Sequence, residues 1–269
     1  MIVSAEGANC QFAREVGLIK GEPNTLWSRS FALPGTHNFH SDFIIFHPRE
    51  LLPGFFIISR EVEDYLSVCC FLMPNSNSAT PSTMNREEFE KIYKDLIENN
   101  KSIRLALGPD VELTPFQSTP VRVGGSNKIY ADQFVVVGSA AGHIDPLNGQ
   151  GIQYAIIGGR LAARTILEGF ARGDLSKKTL KRYQRRVNYA FGWDLWISGY
   201  LGRLLYYFPA IMEATASMIK KNGEEPLKLW LRARSGECTK FQLLRPDIIA
   251  LIFVELVYQF TKNKIKSAF

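Results

Sequence analysis

Residues 135–156 read VVVGSAAGHIDPLNGQGIQYAI and combine a strand, a glycine-rich turn and the start of a helix within 22 positions. The β-favouring run ends at Gly138, where the chain turns at once. Gly149 and Gly151 allow the turn to take positive φ or to let the backbone approach a ligand closely. The helix that begins near Ile152 presents unpaired N–H groups and the positive end of its dipole. The stretch therefore predicts a helix terminus suited to an electron-rich oxygen, such as that of a phosphate or a ring carbonyl.

The glycine spacing alone does not identify a ligand. Gly149 and Gly151 form a G-x-G pair, but Tyr154 stands where the dinucleotide fingerprint requires a third glycine. No Gly-Lys-Ser/Thr sequence follows, so the stretch is not a P-loop either. On the glycines alone, an ordinary strand-to-helix turn without a ligand is an equal alternative.

The composition is that of a globular protein. Of the 269 residues, 46% are hydrophobic and 22% are charged, so the chain can bury a sizeable core. Lys and Arg (32) exceed Asp and Glu (26), and the net charge of +6 suits an anionic membrane surface or a phosphate-bearing ligand. That excess is too small for a nucleic-acid binder. The four cysteines and the histidines of residues 37–47 lack metal-ligand spacing, so we predict no metal site and a reduced, cytoplasmic environment.

The rest of the chain predicts a strand-rich segment between two parallel-sheet elements. Residues 1–18 read as a strand, a turn and a helix, which is the order of the quoted stretch. Residues 42–59 and 64–73 are apolar runs joined by a polar link, which predicts antiparallel pairing. Residues 75–83 read as a polar loop, and residues 85–103 carry apolar side chains at helical spacing. From residue 152 onward the chain is predicted to be mainly helical.

This order predicts a mixed α/β (α+β) fold. Residues 1–25 and 130–175 form a Rossmann-like cofactor domain in this interpretation, and residues 26–129 form a β-rich substrate domain inserted between its halves. Residues 176–269 form a helical C-terminal region.

Two segments resemble a known family. Residues 135–163, VVVGSAAGHIDPLNGQGIQYAIIGGRLAA, resemble the second flavin motif of the glutathione-reductase-type FAD oxidoreductases, and most closely that of the geranylgeranyl reductase family. Its members typically read hydrophobic strand, G-D-A-A-G, a D/N-P-L-T-G-E-G-I run, then Y-A-x-x-S-G-x-x-A-A. Residues 4–18, SAEGANCQFAREVGL, are similar to the family's A-D-G-x-x-S-x-V-A-R segment. The resemblance covers roughly residues 1–200 and is dense only in these two motifs.

The resemblance implies FAD as the cofactor. Ser139 corresponds to the aspartate that holds a ribityl hydroxyl in the family, and residues 145–151 correspond to the loop near the isoalloxazine. The helix at Ile152 would stabilise the negative charge of reduced flavin through its dipole. The cofactor-binding residues implied are Glu6, Gly7, Gly138, Ser139, Asp145, Pro146, Gly149, Gln150, Gly151 and Ile152. The resemblance supplies no proton donor, so the catalytic residue is unknown, and we interpret Asp145 as a backbone cap rather than an acid–base partner of His143.

Several positions depart from the family pattern. Ser139 is shorter than aspartate and uncharged, although its hydroxyl can still make a hydrogen bond. Glu6 replaces the family's aspartate and Cys10 replaces its serine. The aromatic segment after Pro-Gly reads PGFFIISREVE, in which Phe55 and Phe56 keep the bulk expected of a substrate lining but the family's Trp and Phe-Pro are absent. Flavin ancestry therefore has more support than reaction at prenyl double bonds.

The family's G-x-G-x-x-G unit, which cradles the FAD pyrophosphate, does not occur in this sequence. The opening residues, MIVSAEGAN, correspond to a point after the family's first strands. We therefore expect a truncated FAD-binding domain, either as a piece of a longer polypeptide or as a shortened relative that has lost catalysis. FAD binding is expected to be weak unless a βαβ unit is supplied.

The helical region offers two further candidates for contact surfaces. Residues 177–186, KKTLKRYQRR, favour a solvated helix face with Leu180, Tyr183 and Val187 turned inward over contact with anionic lipid. Residues 247–266 favour a core or interface helix over a membrane anchor.

The aromatic residues of the helical region suggest a substrate lining. Trp193 and Trp196 are candidates for the wall of a lipid tunnel, although packing alone explains them about as well.

We interpret the chain as an FAD-dependent oxidoreductase in which flavin hydride transfer reduces an isoprenoid or other apolar double bond. The flavin-dependent monooxygenase branch shares both motifs and is the enzymatic alternative. A non-catalytic remnant or binding module is the alternative from another class. The expected partners are an apolar or prenyl substrate and a reductant, either a pyridine nucleotide or ferredoxin, with peripheral membrane contact as an option and no nucleic acid.

Overall fold

The computed structural model describes residues 1–21, 23, 25–51, 54–72 and 86–267. The described strands are β1 (Ile2–Ser4), β2 (Thr25–Ala32), β3 (Phe43–Phe46), β4 (Phe55–Arg60), β5 (Leu66–Leu72), β6 (Gln117–Val121), β7 (Tyr130–Ala131) and β8 (Phe134–Val136). The described α-helices are α1 (Gln11–Glu15), α2 (Arg86–Asn99), α3 (Lys101–Leu107), α4 (Ile152–Ala171), α5 (Lys177–Val187), α6 (Trp193–Tyr207), α7 (Ala210–Asn222), α8 (Glu224–Ser235) and α9 (Pro246–Ser267). The polar loop predicted at residues 75–83 lies outside the described residues.

The smaller sheet joins the two ends of the strand-rich segment. Its strand order is β1-β8-β7, with β1 parallel to β8 and β7 antiparallel to β8. Ser4 lies opposite Val136, and the Val137 N–H donates to the Ser4 carbonyl at 2.9 Å. Because parallel strands end at the same edge of a sheet, the turns after β1 and β8 lie side by side.

The larger sheet is antiparallel, with strand order β3-β4-β5-β2-β6. Strand β4 pairs with β5 from Phe55 opposite Phe71 to Arg60 opposite Leu66. The predicted antiparallel pairing of the two apolar runs is thereby confirmed. The combination of this sheet, the small parallel sheet and the helices confirms the predicted mixed α/β class, whereas the exact domain boundaries stay a prediction.

The two faces of the larger sheet have different neighbours, because successive side chains of a strand point in opposite directions. Phe56 lies on the face covered by α2, where its ring stacks on Tyr93 with centroids 5.8 Å apart. Phe55 lies on the other face with Trp27 and Phe71. The prediction that Phe56 lines a substrate site is therefore wrong, because its strand position commits it to the buried core beneath α2.

Helix α2 forms where apolar residues recur at helical spacing. Phe89, Tyr93 and Leu96 are buried on one of its faces, as the spacing predicted. Asn100 follows α2 and caps the next helix, α3, because its side-chain oxygen accepts from the backbone N–H groups of Ser102 and Ile103.

Helices α4 and α5 cover the small sheet. Leu180, Tyr183 and Val187 of α5 are buried, which confirms the predicted inward positions of this basic helix. The Tyr183 hydroxyl donates to the Val136 carbonyl at 2.9 Å, and Nη2 of Arg186 donates to both carboxylate oxygens of Glu168 in α4. A π-helical turn, Asn188–Gly192, separates α5 from α6.

The C-terminal helices are tied together by a polar contact. Glu255 of α9 accepts from Ser217 and Lys221 of α7, each at 2.7 Å, and these hydrogen bonds lower the pKa of Glu255. This contact explains why a charged residue interrupts the apolar run of α9. Among the helices that the structure describes, none combines the length and the apolar character needed to cross a bilayer.

Truncation of Phe56 should test the assignment of the two sheet faces. Phe56→Ala removes a completely buried ring and is expected to lower the free energy of unfolding by about 3–5 kcal/mol. The matched control Phe43→Ala, on edge strand β3 where the side chain is exposed, should change it by about 0.5 kcal/mol or less. Urea denaturation measures both values, and equal losses would contradict the assignment.

Candidate cofactor site

The turn after β1 approaches the glycine turn after β8 at the carboxyl edge of the small sheet. In this turn Gly7 takes φ +70° and Glu6 supports the start of α1. The Glu6 carboxylate accepts from the Ser4 hydroxyl at 2.6 Å and from the Phe12 N–H at 3.1 Å. Desolvation opposes ionisation, but these hydrogen bonds lower the pKa of Glu6. Both carboxylate oxygens of Glu6 are thus engaged within the protein.

The glycines of the second turn serve its own packing. Gly149 takes φ +70°, and a Cβ atom there would lie 3.1 Å from Trp27 and 3.4 Å from Phe55. A Cβ atom at Gly151 would lie 2.8 Å from the Ile144 side chain. The expectation that these two glycines make room for a ligand is therefore corrected, because protein side chains already occupy the space on the Cβ side of each.

Asp145 holds the turn closed. Its carboxylate accepts from the Leu147 N–H at 2.7 Å and from the Ser198 hydroxyl at 3.1 Å. Its own backbone N–H donates to the Gln150 carbonyl, and its carbonyl accepts from Gly149. Asp145 is 0% exposed and Pro146 is also buried. The prediction that these two residues contact a cofactor is wrong, because their surfaces are enclosed by protein; the cap interpretation of Asp145 agrees with its hydrogen bonds.

A buried lysine that sequence reasoning missed completes this arrangement. Lys240 Nζ lies 2.7 Å from Asp145 and 2.8 Å from Asp194 of α6, and it donates to the Tyr154 hydroxyl at 3.1 Å. The Lys240 backbone N–H also donates to Asp194 at 2.6 Å. Burial alone would lower the pKa of Lys240, but the two carboxylates raise it above its ordinary value. No sequence motif marks this cluster, since its members come from three distant segments.

The start of α4 remains accessible beside this rigid turn. Ile152 is 81% exposed, and Gly138, Ser139 and Gln150 are partly exposed. Gly151 provides no side-chain cap, and across the described residues no acceptor binds the first three N–H groups of α4. Open amides at the carboxyl edge of parallel strands are a donor set that fits the oxygen atoms of a nucleotide or flavin cofactor.

An aromatic wall lies on the other side of the glycine turn. Trp27, Phe55 and Phe71 pack with ring centroids 5.2–6.3 Å apart, next to Gly149. The guanidinium of Arg234 lies 5.2 Å from the Phe55 ring, and the Arg234 carbonyl accepts from the Asn148 amide at 2.9 Å. Phe55 is 1% exposed and Phe71 is 0% exposed, so these rings belong to the core, and the prediction that Phe55 lines a substrate site fails for the same reason as for Phe56.

The two tryptophans predicted to line a substrate site lie elsewhere. Trp193 and Trp196 line a cavity that also reaches His143 and is separate from the aromatic wall. His143 is 1% exposed, and burial lowers its pKa to about 4. The Asp145 carboxylate binds Lys240, Ser198 and the turn backbone rather than His143. These two residues therefore do not form a hydrogen-bonded acid–base pair.

This geometry and the comparisons with known proteins define one class: the fold is that of the FAD-dependent oxidoreductases and halogenases. Residues 93–195 match the tryptophan halogenase family model. A geranylgeranyl bacteriochlorophyll reductase-like structure from Thermoplasma acidophilum superposes with a TM-score of 0.59 at 20% identity, covering 74% of this chain and 49% of that one.

Two curated relatives refine the comparison. Digeranylgeranylglycerophospholipid reductase 1 of Methanopyrus kandleri is 26% identical, over 69% of this chain and 48% of its own. Conditioned medium factor receptor 1 of Dictyostelium discoideum is 36% identical, over 95% of this chain and 49% of its own. The predicted resemblance to geranylgeranyl reductases is confirmed, and the chain spans about half the length of these relatives.

Removal of the buried lysine charge should destabilise the protein. Lys240→Met leaves the buried carboxylate of Asp145 and the partly buried one of Asp194 without their cation, and is expected to lower the free energy of unfolding by about 3–5 kcal/mol. Lys228→Met, which breaks only exposed ion pairs on α8, should cost about 1 kcal/mol or less. Urea denaturation at neutral pH distinguishes them, and similar losses would show that the cluster does not hold the turn.

His143 should make stability depend on pH. Its pKa is about 4 in the folded protein against an ordinary value of 6.5, so between these values the unfolded chain binds a proton that the folded chain does not. Stability is therefore lost as the pH falls through this window, by about 1.4 kcal/mol per pH unit. The measurement is the difference in unfolding free energy between wild type and His143→Phe from pH 7 to 4.5. His40→Phe, at an exposed position, should keep the wild-type slope.

Proposed function

We propose that this protein is an FAD-dependent oxidoreductase that holds its cofactor at the start of α4. The observation that carries the proposal is the open amide end of α4 at the carboxyl edge of the parallel pair β1 and β8. Both flavin-type motifs flank that edge, and structures that share the fold are described as a geranylgeranyl bacteriochlorophyll reductase-like protein and a flavin-dependent halogenase.

The chain's own residues would divide the work at this edge. The first N–H groups of α4 would bind electron-rich oxygen atoms and stabilise negative charge, through the positive end of the helix dipole. The hydroxyl of Ser139 would contribute one further hydrogen bond. When bound, the flavin supplies two-electron redox chemistry. The cluster of Asp145, Lys240 and Asp194 would keep the turn in place without touching the cofactor.

The aromatic residues beside the glycine turn are largely closed to a substrate. Phe55 and Phe71 are 1% and 0% exposed, and only Trp27 is partly exposed. An isoprenoid chain, reduced at a double bond, is the substrate class we favour, since relatives of this chain are named digeranylgeranylglycerophospholipid reductases. The electron donor would be a pyridine nucleotide or ferredoxin.

Two observations favour other functions. The match to the tryptophan halogenase model supports an oxygen-dependent flavin reaction, as in the monooxygenase branch. Ser139, in place of the family's aspartate, and the similarity to a protein named as a receptor support a binding role without catalysis. A product of a prenyl alcohol with a reduced double bond supports reduction. A product that forms only with oxygen supports the halogenase and monooxygenase branch. A protein that binds no flavin supports the binding role.

FAD binding is the direct test of the proposal. We expect the 269-residue chain alone to bind FAD weakly, and to bind it more tightly when co-purified with the part of the Dictyostelium relative that this chain does not span. Flavin absorbance of the purified sample and quenching of FAD fluorescence measure this. A colourless sample in both preparations would contradict the proposal and favour the binding role.

A substitution at Ser139 sharpens this test. Ser139→Asp restores a carboxylate that can accept a charge-assisted hydrogen bond, which is expected to tighten FAD binding about tenfold. The control Ser102→Asp adds the same charge at an exposed position of α3 and should leave the affinity unchanged. An equal effect of both variants would mean that Ser139 lies outside the cofactor site.

Peripheral contact with a membrane is a further part of the proposal. Phe253, Val254 and Phe260 of α9 are exposed, and a run of lysines follows them in the sequence. We expect the protein to co-sediment with anionic phospholipid vesicles and to lose this binding when Phe253 and Val254 are both replaced by Ser. Equal recovery of both proteins with the vesicles would contradict it.

A further inference from the structure

A second concave site lies between the segment of residues 124–129 and the junction of α5 with α6. Its volume is about 240 Å³. Residues from the segment, from position 143 and from the helical junction meet in it. The members that matter here are Ser126, His143, Gln184, Asn188, Trp193 and Trp196.

The described lining of this cavity carries no formal charge. No Asp, Glu, Lys or Arg is among the described residues that form it. Its one titratable imidazole, His143, is neutral near pH 7, because burial lowers the pKa to about 4. A charged molecule would lose its hydration here without gaining an ion pair, so the lining selects against ions.

Two side chains of the lining have unmet hydrogen-bonding capacity. The two ring nitrogens of His143 lack hydrogen-bond partners in the described part of the chain, and so does the Ser126 hydroxyl. All three atoms are buried. A neutral imidazole has one donor and one acceptor, and a hydroxyl can act as either. Because burial of such groups without partners costs stability, their presence in one cavity indicates a partner that the chain itself does not supply.

The junction of α5 with α6 adds a π-helical turn and aromatic side chains to the cavity wall. The π-helical turn Asn188–Gly192 interrupts the α-helix at the cavity wall, and such turns are frequently found at functional sites. Its Phe191 ring meets the His143 ring edge to face, with centroids 5.0 Å apart. Trp193 and Trp196 follow directly and are 62% and 48% exposed, so they form an aromatic rim that a ligand can reach.

We propose that this cavity binds a small uncharged aromatic molecule that bears a hydroxyl or amide group. The polar group pairs with His143 and Ser126, and the ring packs against Trp193 and Trp196. The volume corresponds to about eight water molecules at roughly 30 Å³ each, below the roughly 300 Å³ of a pocket for a drug-sized ligand, so one ring fits. None of the residues named for the cofactor is among the described lining of this cavity, so binding of its ligand does not require FAD.

Fluorine NMR of the protein labelled with 5-fluorotryptophan tests the site, with phenol as the probe. The chain has four tryptophans, and Trp193→Phe and Trp196→Phe assign their signals. Saturable shifts of the Trp193 and Trp196 signals are expected, whereas Trp27 and Trp230 report on other parts of the molecule. Absence of these shifts at millimolar phenol would overturn the proposal.

Two variants and a second probe separate a polar site from an apolar crevice. His143→Phe and Ser126→Ala should each weaken phenol binding about fivefold, which is the loss of one hydrogen bond, and should leave toluene binding unchanged. Ser118→Ala, on β6 in the other sheet, is the matched control and should bind phenol as the wild type does. Equal binding of phenol and toluene by wild type and both variants would overturn the proposal. Ser126→Ala keeps the test decisive if His143→Phe does not fold.

Discussion

Parallel pairing of β1 with β8 is the constraint on which the candidate cofactor site depends. The two strands are three residues long and come from opposite ends of the strand-rich segment, yet their pairing brings the carbonyl of Ser4 to the N–H of Val137. The turns that follow the strands must then share one edge of the sheet, as ligand-binding turns do in open α/β folds. Helix α4 begins at this edge, so its unpaired amides face the same region.

Ion pairs between Lys240 and two aspartates, Asp145 and Asp194, hold the glycine turn in place. Lys240 lies between buried Asp145 and partly buried Asp194, so the buried charges of Lys240 and Asp145 depend on each other for compensation. This dependence ties the C-terminal helices to the turn: Asp194 belongs to α6, Lys240 follows α8, and Asp145 belongs to the turn itself. The cofactor edge is therefore built from residues of both ends of the chain, although its accessible surface consists largely of backbone.

Local patterns predicted those parts of the fold in which neighbours along the chain decide the outcome. The spacing of Phe89, Tyr93 and Leu96 defines α2, and the two apolar runs define the β4–β5 pair, because period and polarity are local properties. The sheet face on which Phe56 lies could not be predicted in this way, because its strand is apolar on both faces. With both faces buried, alternation does not reveal which face meets the glycine turn.

By itself the sequence determined the class of fold and the position of its glycine turn. Strand, turn and helix propensities, and the family motifs, depend on residues that are contiguous in the chain. Only the tertiary structure decided what the motif residues do: Asp145 is enclosed by Lys240 and Ser198, and the space beside Gly149 belongs to Trp27. Only the fold also joined His143 to Ser126 and Trp196 around one cavity. The physical reason is that burial and charge pairing depend on which distant segments meet, and no periodicity along the chain encodes that meeting.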